Sequence, residues 1–134
     1  MDQPAMGFDD ESDETALGPL EGPTHMPSRT TPEREHKLSQ LREWVPQLVR
    51  RFALDSRVIP PCWENHNGMV EALQALRDHE RASYADTAPL TAAVEWFAAF
   101  REIEARLTQL AALTQCSLQE HRSGHIQEWA RQAT

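Results

Sequence analysis

Long apolar runs are missing from this chain: no window approaches the roughly 20 residues that a membrane-spanning helix requires. The first residues also lack the positive start and continuous apolar stretch of a secretory leader, so a soluble cytoplasmic protein is expected. Cysteine is scarce. With only Cys62 and Cys116 present and no secretory context, reduced thiols are the expectation rather than a disulfide. Strand-like alternation of apolar and polar residues is absent throughout, and there is no internal repeat. The short motifs that carry chemistry are missing too: no Gly-rich phosphate loop, no His-Glu-x-x-His, no nucleophile elbow. Glu102 with Glu104, and Asp78 with Glu80, are spaced by two and diverge around a helix, so they read as solvent-face charges, as does His79. No catalytic residue is nominated, and the chain is not expected to be an enzyme.

Positive charge is thin and unevenly opposed. Seven acids (Asp2, Asp9, Asp10, Glu11, Asp13, Glu14 and Glu21) and one base, Arg29, give the first thirty residues −6 of the total −8, leaving −2 for the remainder. Sequence-independent affinity for phosphate comes from clustered Lys and Arg, so nucleic acid is a disfavoured partner. Arg50, Arg51 and Arg57 surround the end of a helix, where positive charge favours the negative helix terminus. Residues 1–30 also hold four prolines and three glycines among few apolar side chains, too little to offset the entropy of ordering the backbone. They are read as a disordered acidic arm, and residues 31–134 as one helical domain.

What is present is apolar helical periodicity. Thr31-Pro32-Glu33 supplies a hydroxyl cap, a first-turn proline and an acid at the positive helix end, and the spacing predicts a helix to about Leu54. Leu38, Leu41, Val45, Leu48 and Phe52 form its stripe, widened by Trp44 and Val49. Pro46 lies inside it, and a kink or break is expected near Trp44 to Pro46. From Asp55 to Asn67 the period vanishes and Pro60-Pro61 makes a rigid connector. A second helix begins at Asn67 or Gly68, capped by Asn65 or Asn67, with Met69, Val70, Leu73, Leu76 and Tyr84 on one side. A third, capped by Thr87, is expected from Ala88 to about Thr114, on the order of 40 Å long. Trp96, Phe100, Ile103, Leu107 and Leu110 keep a three-four step along it. Leu118, Ile126 and Trp129 suggest a short final helix divided by Gly124. The expected fold is all-α, a helical hairpin or three-helix bundle.

Two short Cys/His pairs stand out. Cys62-x3-His66 and Cys116-x4-His121, with His125 in addition, have the ligand types of a tetrahedral zinc site. If the third helix folds back along the second, the two pairs return to one level. The competing reading has both cysteines as small buried hydrophobes, His66 at a helix start and the late histidines solvated, and it is the one favoured. Trp63 is expected to be buried as an anchor of the connector rather than exposed as an interface hot spot. Trp129 is the best candidate for an exposed aromatic.

The order Trp44, Ile59-Pro60-Pro61-Cys62-Trp63, His66, Met69-Val70-Glu71-Ala72-Leu73, Trp96, then Cys116 with His121, resembles a family of small actinobacterial proteins catalogued as domain-of-unknown-function family 4913. The resemblance covers about Leu38 to Arg122. It implies a helical body behind a variable charged tail, in an accessory protein of a plasmid or integrated element, and it lends no activity. Family members often have Trp-His where this chain has Trp96-Phe97, so no role is carried over for that histidine.

The leading functional expectation is a non-enzymatic helical protein-interaction module. It docks a protein partner or itself through Trp96, Phe100, Ile103, Leu107 and Leu110, with Trp129 as a further contact. The alternative is a zinc-stabilised regulatory or nucleic-acid accessory domain using Cys62, His66, Cys116 and His121.

Overall fold

Thr30, one residue earlier than expected, opens the first helix: its Oγ1 accepts from Glu33 N, while the Glu33 carboxylate accepts from Thr30 N. This reciprocal capping box satisfies two backbone donors that the first turn would leave orphaned. In the computed structural model, which describes residues 22–116 and residue 121, α1 then runs unbroken over Thr31–Phe52. The expected break at Pro46 does not occur. Proline there removes the donor for the Arg42 carbonyl at a cost of roughly 3 kcal/mol. Trp44, Val45 and Leu48 around it are all buried, and their burial holds the helix through the defect. The helix stops at Ala53, whose left-handed backbone (φ 53°) lets the cap N–H donate to Val49 O.

Between α1 and α2 (Asn67–Ser83) the chain makes a string of tight turns. Ile59 N donates to Asp55 O, and Trp63 N to Pro60 O, before a 3₁₀ turn at Trp63–Asn65. Ile59, Pro60 and Trp63 are buried, as expected of an anchored connector. Arg42 ties it to α1 from outside, reaching Glu64 at 2.9 Å and Glu35 at 2.8 Å. The residue at the N-cap of α2 is His66, not an asparagine, and its ring makes no capping bond. On α2, Met69, Val70, Leu73 and Leu76 face inward, whereas Tyr84 is exposed rather than part of that stripe.

The third helix, α3 (Ala92–Thr114), starts later than expected, behind Thr91 instead of Thr87, because residues 85–91 are spent on turns. Trp96 Nε1 donates to Leu76 O near one end, and Leu110 lies beside Gly68 near the other. These contacts make α2 and α3 an antiparallel hairpin, against which α1 completes a three-helix all-α body; no strand occurs among the described residues. At the α3 start, Phe52 and Trp96 pack around Phe100 with ring centroids 4.5 and 5.6 Å from it.

The packed body also begins before Thr30, within the stretch that composition assigns to the arm. Met26 is buried in the core from a 3₁₀ turn at Met26–Ser28, and Thr24 N donates to Asp78 Oδ2 at 2.9 Å. One apolar side chain and one backbone bond anchor these residues, although their average composition is that of a loop. The remainder of the arm, residues 1–21, and the final helix expected around Leu118 to Trp129 lie outside the described residues. No described helix is long and apolar enough to cross a membrane.

Candidate metal centre

The antiparallel hairpin has a chemical consequence at one end. The start of α2 and the finish of α3 lie side by side there, which brings the connector before one next to the chain leaving the other. Pro60-Pro61 and the 3₁₀ turn behind them present Cys62, and the non-helical backbone of His66 (φ −124°) turns its ring toward the same spot. Across from them α3 ends at Gln115, in the left-handed conformation (φ 62°), its N–H closing on Ala111 O. That cap redirects the chain at Cys116, and His121 follows five residues later.

The four side chains meet. Cys116 Sγ is 3.3 Å from His66 Nε2 and 3.6 Å from His121 Nδ1, Cys62 Sγ is 3.6 Å from His66 Nε2, and all four ligand atoms lie within 4.8 Å of one another. The two imidazole rings have centroids 4.7 Å apart. With Zn–S near 2.3 Å and Zn–N near 2.0–2.1 Å, a regular tetrahedron has edges of about 3.3–3.8 Å. These three sulfur–nitrogen separations already have that length. Apolar packing gives no reason to gather two thiols and two imidazoles while the His66 ring is released from capping duty. The sulfurs are not joined in a disulfide.

In the absence of an ion, electrostatics acts differently on the two ligand types. Burial, and then the neighbouring Cys116 thiol, pushes the Cys62 thiol up to about 11. Burial, and then His121, pulls His66 below its ordinary value, holding its imidazole in the neutral form a metal requires. A divalent cation at the centre inverts the tendency at sulfur, because a coordinating thiol is deprotonated outright. The donor set and its spacing could hold a zinc ion. His66 is buried, the cysteines are half-buried and His121 is exposed, which leaves an entry side for the ion. The packing-only reading favoured from sequence gives no account of this convergence. His125 lies outside the described residues.

The residues nominated for docking have another position. Trp96, Phe100 and Leu107 are buried, and Ile103 and Leu110 are partly buried against the same core. That stripe is therefore occupied by the chain's own α1 and α2 and is not a free surface; Trp129 is outside the described residues. Sequence reasoning also misplaced Glu80, which is buried, not solvated: its carboxylate accepts from Trp44 Nε1 and pairs with Arg51, each at 2.9 Å. Arg51 in turn lies 5.1 Å over the Phe52 ring and 5.5 Å over Trp96. Spacing along α2 gives no signal of this, because the partners are on α1.

Compared with protein-family models, curated proteins and solved structures, the chain matches none.

Proposed function

We propose that this protein is a non-enzymatic accessory domain whose helical hairpin is stapled by a structural zinc ion on Cys62, His66, Cys116 and His121, and which acts through protein contacts. The observation that carries the reading is the convergence of four nitrogen and sulfur ligand atoms within 4.8 Å from two places fifty residues apart in sequence. Four protein ligands complete a tetrahedral shell. Structural zinc sites are closed in this way, whereas catalytic ones keep a position for water or substrate. The ion would cross-link the connector to the end of α3, adding to the anchorage that buried Ile59, Pro60 and Trp63 already give the connector. The near-neutral charge of residues 31–134 favours protein over nucleic acid as the partner class. The setting implied by the family resemblance, a plasmid or integrated element, belongs to this proposal.

Elemental analysis of protein purified without chelators is expected to give one zinc per chain. Cobalt substitution should give the intense visible bands of a tetrahedral site together with thiolate charge-transfer absorption. Cys62→Ser should lose the stoichiometric metal and lower the melting temperature. Metal-free protein whose melting is unchanged by both chelator and Cys62→Ser would remove the zinc reading.

A further inference from the structure

The three-four stripe of α3 that was expected to dock a partner is occupied by the core, but among the described residues the neighbouring face of the same helix is open. Val94 is 71% and Phe97 46% exposed, and behind Phe97 runs a groove of about 850 Å³ floored by Phe52. Phe97, Phe100, Arg101, Glu104, Ala105 and Thr108 line it. Among the described residues neither Arg101 nor Glu104 takes part in an ion pair. Phe97 stands edge-on to Phe52 and Trp96, and the exposed part of its ring, with Val94 three residues before it, gives this face an apolar patch.

The order of the lining residues identifies that partner. The half toward the start of α3 is bulky and basic (Phe97, Phe100, Arg101), and the half toward its end is small and acidic (Glu104, Ala105, Thr108). Laid antiparallel on a second copy, with the twofold axis between Glu102 and Ile103, α3 sets Arg101 opposite the partner copy's Glu104. The same register sets the half-exposed Phe97 against the exposed Thr108, while Phe100 beneath them stays in the chain's own core. Phe97 meets a small side chain, each charge meets its opposite, and twofold symmetry repeats both pairs. A parallel pairing would stack Phe97 on Phe97 and set Arg101 near Arg101, at a cost in repulsion and fit. We infer that this face of α3 is a homodimer interface, built antiparallel around reciprocal Arg101–Glu104 ion pairs with Phe97 as its apolar anchor.

Sedimentation equilibrium and light scattering on the full chain test this, with zinc content measured on the same sample so that metal loss is read separately. The wild type should pass from monomer to dimer with a Kd roughly in the tens of micromolar, suited to a small interface. Arg101→Glu should weaken the dimer by about tenfold or more, since like charges then face each other twice. The exchange Arg101→Glu with Glu104→Arg should restore it to within about threefold, because the pairs are reciprocal. Phe97→Ser should also weaken it, while circular dichroism and melting report an intact bundle. Restoration by the exchange separates pairing from general surface charge. A monomer at every concentration, whether residues 117–134 or another protein cover this face, overturns the inference. So does an Arg101→Glu variant that dimerises normally, or an exchange that fails to rescue.

Discussion

The two ends of the α2–α3 hairpin are held by different physics. At the end where α3 begins, Trp96 is fully buried between Phe52 and Phe100, and Arg51 lies over the rings while it pairs with Glu80. This end needs nothing from outside the chain, because burial of aromatic area and a satisfied buried carboxylate account for it. The opposite end gathers Cys62, His66, Cys116 and His121, two of them only half-buried and one exposed. Ile59, Trp63 and Met69 are buried close by, but burial of apolar area gives no reason for the four polar ligand atoms to converge. An area-driven contact depends on temperature and volume; a coordination-driven one depends on metal, pH and thiol state. On the zinc proposal, one hairpin has an end that external chemistry can loosen and an end that it cannot.

The widest separation between the ends should come from metal removal. A strong chelator is expected to cost on the order of 5 kcal/mol or more, since structural zinc contributes about 10–16 kcal/mol in peptides with no other core. Hydrogen exchange should localise the loss to the Cys62–His66 connector and the last turn of α3, with the Trp96 region still protected. Equal loss of protection at both ends would break the contrast. Acid should act in the same direction, because falling pH protonates the ligands and releases the ion.

Next in size is the aromatic end itself. Trp96→Ala should destabilise by about 3–5 kcal/mol through lost transfer energy and a residual cavity. Zinc stoichiometry in the folded fraction should not change, and loss of metal there would show that the two ends are not separate. Glu80→Ala removes the acceptor of the buried Trp44 Nε1 and one partner of Arg51. Roughly 1–3 kcal/mol is expected from denaturant unfolding, the ion pair being discounted because Arg51 is partly solvated.

The smallest effect belongs to the start of α1, remote from the contrast. Thr30→Ala should cost about 1 kcal/mol through loss of the cap. In the same box, the backbone N–H of Thr30, which outweighs an opposing effect of burial, and then the Thr30 hydroxyl and Arg29 hold the Glu33 carboxyl below its usual range. A depressed pKa contributes stability above the unfolded-state value that fades as pH falls through the folded one. Thr30→Ala should therefore flatten the acid limb of the stability profile slightly, as measured by melting between neutral and mildly acidic pH.

Legibility in the sequence differed from element to element for physical reasons. The apolar stripes of α1 and α2 and the anchored Trp63 could be read because periodicity and proline act locally. Pro46 misled because a local penalty of a few kcal/mol is outweighed by burial of Trp44, Val45 and Leu48, which depends on distant partners. Thr87 misled because it offers a hydroxyl that the turn geometry of residues 85–91 does not use. The Cys/His ligand types and their pairing were visible, but no spacing rule joins residues fifty apart. The open face of α3 went unnoticed because Arg101, Glu104 and Thr108 look like ordinary solvated positions until the groove behind Phe97 is seen.

By itself, then, the chain's order of residues determined the all-α class, the capping of α1, the rigid connector and the two sets of ligand side chains, since each depends on neighbours within a turn or two. Only tertiary structure decided that the ligands meet, that Glu80 is interior and that the stripe from Trp96 to Leu107 belongs to the core. Those outcomes depend on which end of one helix lies against which end of another. That register is set by the summed packing of the hairpin, with Trp96 against Leu76 and Leu110 beside Gly68, and no local propensity encodes it.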